Sequence, residues 1–138
     1  MYNKIMLASD GSEDSVTAAE EAIKLAKLTG AQVDVVYVVD GDTSKHDVLR
    51  NWDSLGIREE RKDKLRAVEQ KAADANLTYE INMLRGDPSV TLVKYAEEHD
   101  IDLIVMGTRG LNVLQEMVLG SVSHQVIQKA SCPVHVVK

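Results

Sequence analysis

The stretch that decides the fold is Ile101-Asp102-Leu103-Ile104-Val105-Met106-Gly107, followed by Thr108-Arg109-Gly110, nine further residues and Gly120-Ser121-Val122-Ser123. An apolar run that ends in glycine is typical of a buried parallel strand, and the serine-rich segment precedes a helical pattern. Glycine lets a backbone approach an anion closely, and the free N–H groups at a helix start favour negative charge. The stretch therefore predicts a strand, a loop and a helix that together cradle the phosphates of a nucleotide.

Strand and helix patterns alternate along the chain. Predicted strands cover residues 4–8, 33–39, 77–84, 101–106 and 134–137, and predicted helices cover 13–29, 54–75, 88–99 and 121–130, whereas the polar stretch 40–51 is irregular. This alternation predicts one α/β domain over residues 1–138, with a doubly wound, five-stranded parallel sheet, Rossmann-like, and helices on both faces. The half-polar third strand is expected at a sheet edge. If the last strand also lies at an edge, it offers unpaired backbone groups and valines to another subunit.

Local signals set several helix ends. Ser12 and Asp87 are predicted N-caps, Pro88 suits the first position of a helix, and Gly30 suits the position after a helix end. The long second helix is predicted to bury one face that carries Leu65, Val68, Ala72 and Ala75.

Composition excludes several classes of protein. The 138 residues carry a net charge of −6, which disfavours a nucleic-acid-binding surface. No apolar run approaches the ~20 residues that cross a bilayer, and the start lacks the pattern of a signal peptide, so no membrane partner is expected. The single cysteine, Cys132, cannot form an internal disulfide and is expected to be a buried structural thiol. The histidines lack metal-ligand spacing, so no metal centre is predicted. We expect a cytoplasmic protein.

The glycines of the motif have two interpretations. Gly107, Gly110 and Gly120 can be simple turn residues, as single glycines usually are. Three in one connection, followed by Ser121 and Ser123 at a helix start, favour a phosphate site in which the hydroxyls and the first N–H groups face a triphosphate.

Three other residues have less decisive patterns. Arg109 either neutralises phosphate charge or is merely solvated. Asp10, after the first strand, either accepts a hydrogen bond from ribose or adenine, or belongs to a turn. Val38 is a typical core residue, although its backbone groups can still contact the adenine edge.

Other nucleotide motifs and catalytic groups are missing. The sequence contains no Gly-x-x-x-x-Gly-Lys-Ser/Thr run, and no Gly-x-Gly-x-x-Gly follows the first strand. No nucleophile–base pair is evident, so no catalytic residue is predicted. The apolar segment Leu111–Leu119 either packs on its own domain or forms a partner surface.

The chain strongly resembles the universal stress protein family over essentially its full length. ATP-binding members carry Gly, two residues, Gly, nine residues, Gly and Ser or Thr, which Gly107, Gly110, Gly120 and Ser121 match. The opening Ile5–Ser12, the segment Val36–Asp40, the run Asp102–Gly110 and the ending from Gly120 through Cys132-Pro133-Val134 are similar as well.

The resemblance implies a fold of the adenine nucleotide alpha hydrolase-like kind, bound ATP and a homodimer joined through the last strands. Magnesium with the phosphates is left open. Adenine is expected near Asp10 and the backbone of Val38, with Ala8 and Ser9 on the base and ribose side and Met106 at the sugar. The phosphates are expected against Gly107, Arg109, Gly110, Gly120, Ser121, Val122 and Ser123.

Three functions follow as hypotheses. The first is an ATP-binding, dimeric stress-response sensor or regulator whose downstream protein partner is unassigned. The second is a slow ATPase or self-phosphorylating protein, with Ser121 or Ser123 near the γ-phosphate. The third is a protein–protein interaction module that binds no nucleotide.

Overall fold

The computed structural model of this chain describes residues 2–9, 13–39, 59–107 and 121–137. Its strands are β1 (Lys4–Ser9), β2 (Gln32–Val39), β3 (Tyr79–Arg85), β4 (Leu103–Gly107) and β5 (Val134–Val137). Its helices are α1 (Glu13–Thr29), α2 (Glu59–Asp74), α3 (Pro88–Glu98) and α4 (Ser121–Lys129). All strand pairs are parallel, in the spatial order β3-β2-β1-β4-β5. The predicted α/β fold is confirmed, and β3 lies at a sheet edge as predicted, with β5 at the opposite edge.

Two apolar cores cover the two faces of the sheet, as the nearly continuous apolar strands predict. The first joins α1 to the sheet through small side chains that allow close approach: Ala18, Ala19, Ala22 and Ala26 against Ile5, Leu7, Val33, Val35, Leu103 and Val105. The second joins α3 and α4 to the opposite face: Leu92, Tyr95, Ala96 and Val126 against Met6, Val36, Val38, Ile104 and Met106.

The helix ends with local signals follow the predictions. Gly30 has a φ of 76° just after α1, and its N–H donates to the Ala26 carbonyl at 2.8 Å. A positive φ favours glycine, which lacks a Cβ. Asp87 caps α3 by accepting a hydrogen bond from the Val90 N–H at 3.2 Å, and Pro88 is the first helical residue. Ser12 lies outside the described residues.

The connection from α2 to β3 corrects two predicted boundaries. Ala75 lies in the turn after α2 rather than on its buried face, and Asn76 has a φ of 58°. The Leu77 N–H donates to the Ala72 carbonyl, so Leu77 closes the helix and β3 begins at Tyr79. Ala72 is buried as predicted, whereas 54–58 and the side chains of Leu65 and Val68 lie outside the described part.

A buried carboxylate in β2 was missed by the sequence analysis. Asp34 is 1% exposed, and its oxygens accept hydrogen bonds from the Tyr95 hydroxyl at 2.9 Å and the Gln32 amide at 2.7 Å. The Lys4 ammonium lies 3.8 Å away, and the Asn82 amide donates to the Tyr95 oxygen. Burial and the neighbouring Asp34 raise the pKa of Tyr95, so this hydroxyl stays a donor at physiological pH. The carboxylate therefore ties α3 to the sheet.

Asp102 fixes β1 against β4 at the amino end of the sheet. Its Oδ2 accepts hydrogen bonds from the backbone N–H groups of Asn3 at 2.8 Å and Lys4 at 2.9 Å. Its own N–H donates to the Lys4 carbonyl at 2.9 Å. These bonds set the register in which Leu7 lies opposite Val105.

Candidate functional site

The sheet reverses its winding direction between β1 and β4. From β1 the chain adds β2 and β3 on one side, and then crosses to place β4 and β5 on the other. In such sheets ligands bind beyond the carboxyl ends of the two strands at the reversal. Here those ends are Ala8 and Ser9 of β1 and Met106 and Gly107 of β4. Four residues that the sequence assigned to the site are therefore brought to one edge.

A side-chain hydrogen bond places the start of α4 at the same edge. The Ser123 hydroxyl donates to the carbonyl oxygen of Gly107 at 2.8 Å, and Ser123 is 1% exposed. The first turn of α4 therefore lies against the last residue of β4. The backbone N–H groups of Ser121, Val122 and Ser123 have no acceptor within their own helix, and they carry the positive end of its dipole. This geometry suits an anion.

The same contact changes what the Ser123 side chain can offer. The sequence predicts that this hydroxyl faces phosphate. A hydroxyl has one hydrogen, and that hydrogen is used by the Gly107 carbonyl. What this arrangement leaves for an anion is the backbone N–H of Ser123, while the hydroxyl holds the helix in place.

An apolar floor lies beneath the edge. Val38 and Met106 are 6% and 5% exposed and belong to the second core, and the partly buried Ala8 and Val122 pack against that core. These four predicted site residues come from four elements, β2, β4, β1 and α4. Such a floor suits the flat apolar face of a nucleobase or a sugar, with the polar groups above it.

Six of the predicted site residues lie outside the described part of the chain or have only their backbone described. Asp10, Arg109, Gly110 and Gly120 lie outside the described residues, as does the segment Leu111–Leu119. For Ser9 and Ser121 only the backbone is described. Their assigned roles stay predictions.

The start of α3 adds residues that the sequence analysis did not assign to the site. Gly86, between β3 and α3, has a φ of 153°, and a Cβ there would lie 2.8 Å from the Thr91 hydroxyl. This glycine allows the tight entry that buries Ser89 to 2% exposure. The Ser89 hydroxyl contacts the Asp87 carboxylate at 2.9 Å and the side-chain amide of Gln125 in α4. Because Ser89 and Gln125 are 36 positions apart, no local pattern indicates the pair.

Two further titratable groups, one at the start of α3 and one just before β5, have perturbed pKa values. Hydrogen bonds from the Val90 N–H and the Ser89 hydroxyl lower the pKa of Asp87, so its cap is charged at neutral pH. Burial raises the pKa of the Cys132 thiol, which is half-buried against the second core. A protonated, packed thiol agrees with the expected structural role.

Residues 2–9, 13–39, 59–107 and 121–137 contain neither a metal-ligand cluster nor a membrane span. No group of three His, Cys, Asp or Glu side chains there is placed to hold a metal ion. Nor is any helix in these ranges long and apolar enough to cross a membrane.

The protein is an α/β protein whose sheet reverses its winding direction between β1 and β4. The start of α4 lies at the carboxyl edge of the sheet at that point. The model of the universal stress protein family matches residues 1–138, so the chain belongs to that family. A relative is the universal stress protein MJ0531 of Methanocaldococcus jannaschii. It is 38% identical over 141 residues, which cover 100% of this chain and 83% of that protein.

Two similar solved structures contain adenine nucleotides. The universal stress protein from Archaeoglobus fulgidus in complex with dAMP has a TM-score of 0.72 at 27% identity, covering 99% of this chain and 98% of that one. A universal stress protein in complex with cAMP has a TM-score of 0.72 at 25% identity, covering 99% and 97%. Family members with this fold therefore bind adenine nucleotides.

Proposed function

We propose that this chain is an ATP-binding universal stress protein that acts as a homodimeric stress-response regulator in the cytoplasm. The observation that carries the proposal is the placement of the α4 start against Gly107 by the Ser123 hydroxyl, at the edge where the sheet reverses. The family relationship and the neighbours with dAMP and cAMP support an adenine nucleotide as the ligand.

In this proposal each part of the site has its own role. The base lies over the apolar floor near Asp10 and the backbone of Val38, and the ribose lies beside Ala8, Ser9 and Met106. The phosphates take hydrogen bonds from the first turn of α4 and from the glycine connection. The residues of that phosphate cradle are Gly107, Arg109, Gly110, Gly120, Ser121, Val122 and Ser123. Magnesium would accompany the phosphates rather than bind a carboxylate cluster.

The dimer belongs to the same proposal. β5 pairs only with β4 among the described strands and forms one edge of the sheet. The Ile104 N–H donates to the Pro133 carbonyl, so Pro133, His135 and Val137 direct their backbone groups toward β4. Because these groups alternate along a strand, those of Val134 and Val136 point away from β4 and are available to a second copy.

Equilibrium dialysis against ATP, with wild-type protein and Gly120→Val side by side, tests the ligand. A valine at this position blocks the close approach of backbone to phosphate, so the variant should lose ATP binding while it keeps the wild-type circular dichroism spectrum. Gly30→Val is the matched control, because its strain lies at the end of α1, at the other end of the sheet. Wild-type ATP affinity in a folded Gly120→Val variant would refute the phosphate cradle.

A further inference from the structure

The contact between Ser89 and Gln125 is a directed hydrogen-bond chain that links α3 to α4. The Ser89 hydroxyl lies beside two groups, the Asp87 carboxylate and the Gln125 amide, but it has one hydrogen to donate. A carboxylate accepts only, so Ser89 donates to Asp87. In the structure the Gln125 oxygen faces this hydroxyl. A 180° flip of the amide exchanges its oxygen and nitrogen, so that the NH₂ group donates to the Ser89 oxygen and all three side chains are paired.

The two ends of this chain are fixed to different elements. Asp87 is the N-cap of α3 and also accepts the Val90 N–H. Gln125 lies one turn into α4, two residues after Ser123. Positions two apart are about 200° apart around a helix, so Ser123 and Gln125 bond in opposite directions. The helix start is therefore held on one side by β4 and on the other by the cap of α3.

We propose that Ser89 and Gln125 are positioning residues for the phosphate cradle, a role that rests on the proposed function. α4 has nine residues, and its N-terminal N–H groups can bind a phosphate only while they point at it. Preorganised donors bind a charged group better because no binding energy is spent on ordering them. The Ser89–Gln125 hydrogen bond (the bridge) holds these N–H groups in position, although neither residue belongs to the glycine motif.

The test uses exchanges that remove the bridge with little change in volume. Ser89→Ala removes the central hydroxyl without a change of charge. Gln125→Glu replaces the NH₂ donor by a carboxylate, and the single Ser89 hydrogen cannot serve both this carboxylate and Asp87. Gln125→Lys keeps a donor at that position. Gln128→Glu introduces the same charge as Gln125→Glu at an exposed site of the same helix and serves as the control. Each variant is titrated with ATP and with adenosine, and amide hydrogen exchange is measured without ligand.

The expected result is selective. Ser89→Ala and Gln125→Glu should bind ATP at least about threefold more weakly, the effect of losing one modest hydrogen bond. Their affinity for adenosine should not change, and exchange should accelerate in α4 but not in the core strands. Gln125→Lys and Gln128→Glu should bind ATP much as the wild type does. A variant that combines Ser89→Ala with Gln125→Glu should bind ATP about as weakly as either single variant, because each exchange removes the same bond.

Four results would contradict the inference. Unchanged ATP affinity in Ser89→Ala and Gln125→Glu overturns the positioning role. Equal losses of ATP and adenosine affinity, with faster exchange throughout the sheet, show that the bridge serves only general stability. If the wild-type protein binds no ATP, the proposed function and the cradle role fall together. Independently of ATP binding, amide hydrogen exchange in α4 that is the same in Ser89→Ala as in the wild type would show that the bridge does not hold the helix.

Discussion

The Ser123 hydroxyl donates a hydrogen bond to the carbonyl oxygen of Gly107 across 2.8 Å, and this bond sets the start of α4 against the end of β4. Both residues are buried, so water cannot replace either partner. The contact brings the first turn of α4 next to the residue at which β4 ends. The end of β4 and the start of α4 therefore lie side by side at the carboxyl edge of the sheet.

Removal of the Ser123–Gly107 hydrogen bond should destabilise the packing of α4 against the end of β4. Ser123→Ala leaves the buried Gly107 carbonyl without its side-chain donor, which should lower the free energy of unfolding by about 1–2 kcal/mol. Urea unfolding at neutral pH measures the change. Ser131→Ala, at an exposed serine after α4, should cost much less. Equal losses in the two variants would show that the Ser123–Gly107 bond contributes nothing specific.

The buried Asp34 carboxylate should depend on the Tyr95 hydroxyl. Tyr95→Phe removes the donor at 2.9 Å and leaves a charged acceptor partly unpaired, so the protein should lose about 1–3 kcal/mol of stability. Thermal and urea unfolding give the size of the loss. Tyr79→Phe is the matched control, because within the described part of the chain the Tyr79 hydroxyl makes no hydrogen bond. A loss no greater than that of the control contradicts the proposed tie between α3 and β2.

The contribution of Asp102 should disappear in acid. Hydrogen bonds from the N–H groups of Lys4 and Asn3 lower the pKa of Asp102 in the folded protein. As the pH falls below about 4, the unfolded chain takes up a proton at this carboxyl before the folded one does, so stability is lost. Asp102→Ala should therefore be less stable than wild type at pH 7 by about 1 kcal/mol, and the gap should shrink below pH 4.

Urea titrations at pH 7 and at decreasing pH values below 4 measure this gap. Glu97→Ala, which removes an exposed carboxylate from α3, is the control. Its difference in free energy of unfolding from the wild type should not shrink in acid to a comparable extent. A gap for Asp102→Ala that stays constant into acid would mean that the charge of Asp102 plays no part in holding β1 to β4.

The free edge of β5 should control the proposed dimer. Val136→Pro removes an N–H that points away from β4, so it should weaken dimerisation while the β4–β5 pairing stays intact. Sedimentation velocity over a range of concentrations should show the variant shifted to monomer. Val136→Ala, which keeps the N–H, should remain a dimer. A Val136→Pro variant that dimerises like the wild type would place the interface elsewhere.

The parts of the fold that depend on residues close together in the sequence could be predicted from it. Gly30 and Asp87 act within one turn of their own helix, so their roles follow from residue type and position. The apolar strands and their alternation with helices imply a parallel sheet, and a parallel sheet places its ligand edge at the carboxyl ends. Ala8, Val38 and Met106 lie near the carboxyl ends of their strands, as this reasoning requires, whereas the nucleotide contacts that the family resemblance implies for them stay predictions.

The contacts that cross the fold could not be predicted. Tyr95 and Asp34 are 61 positions apart, and Ser89 and Gln125 are 36 apart, so each partner is defined only once the elements have packed. The polar run at the start of α3 indicates a cap but not the helix that the cap contacts. Ser123 shows the same limit at shorter range, since its hydroxyl was expected to face a ligand and instead bonds the strand end 16 positions earlier.

Calorimetric titration of nucleotide-free protein with ATP and then AMP, each with and without magnesium, tests the central claim most directly. The account predicts that ATP binds with one site per chain and that AMP binds more weakly, because the α4 start and the glycine connection contact the outer phosphates. Equal affinities for the two nucleotides, or no binding of either, would contradict the phosphate cradle.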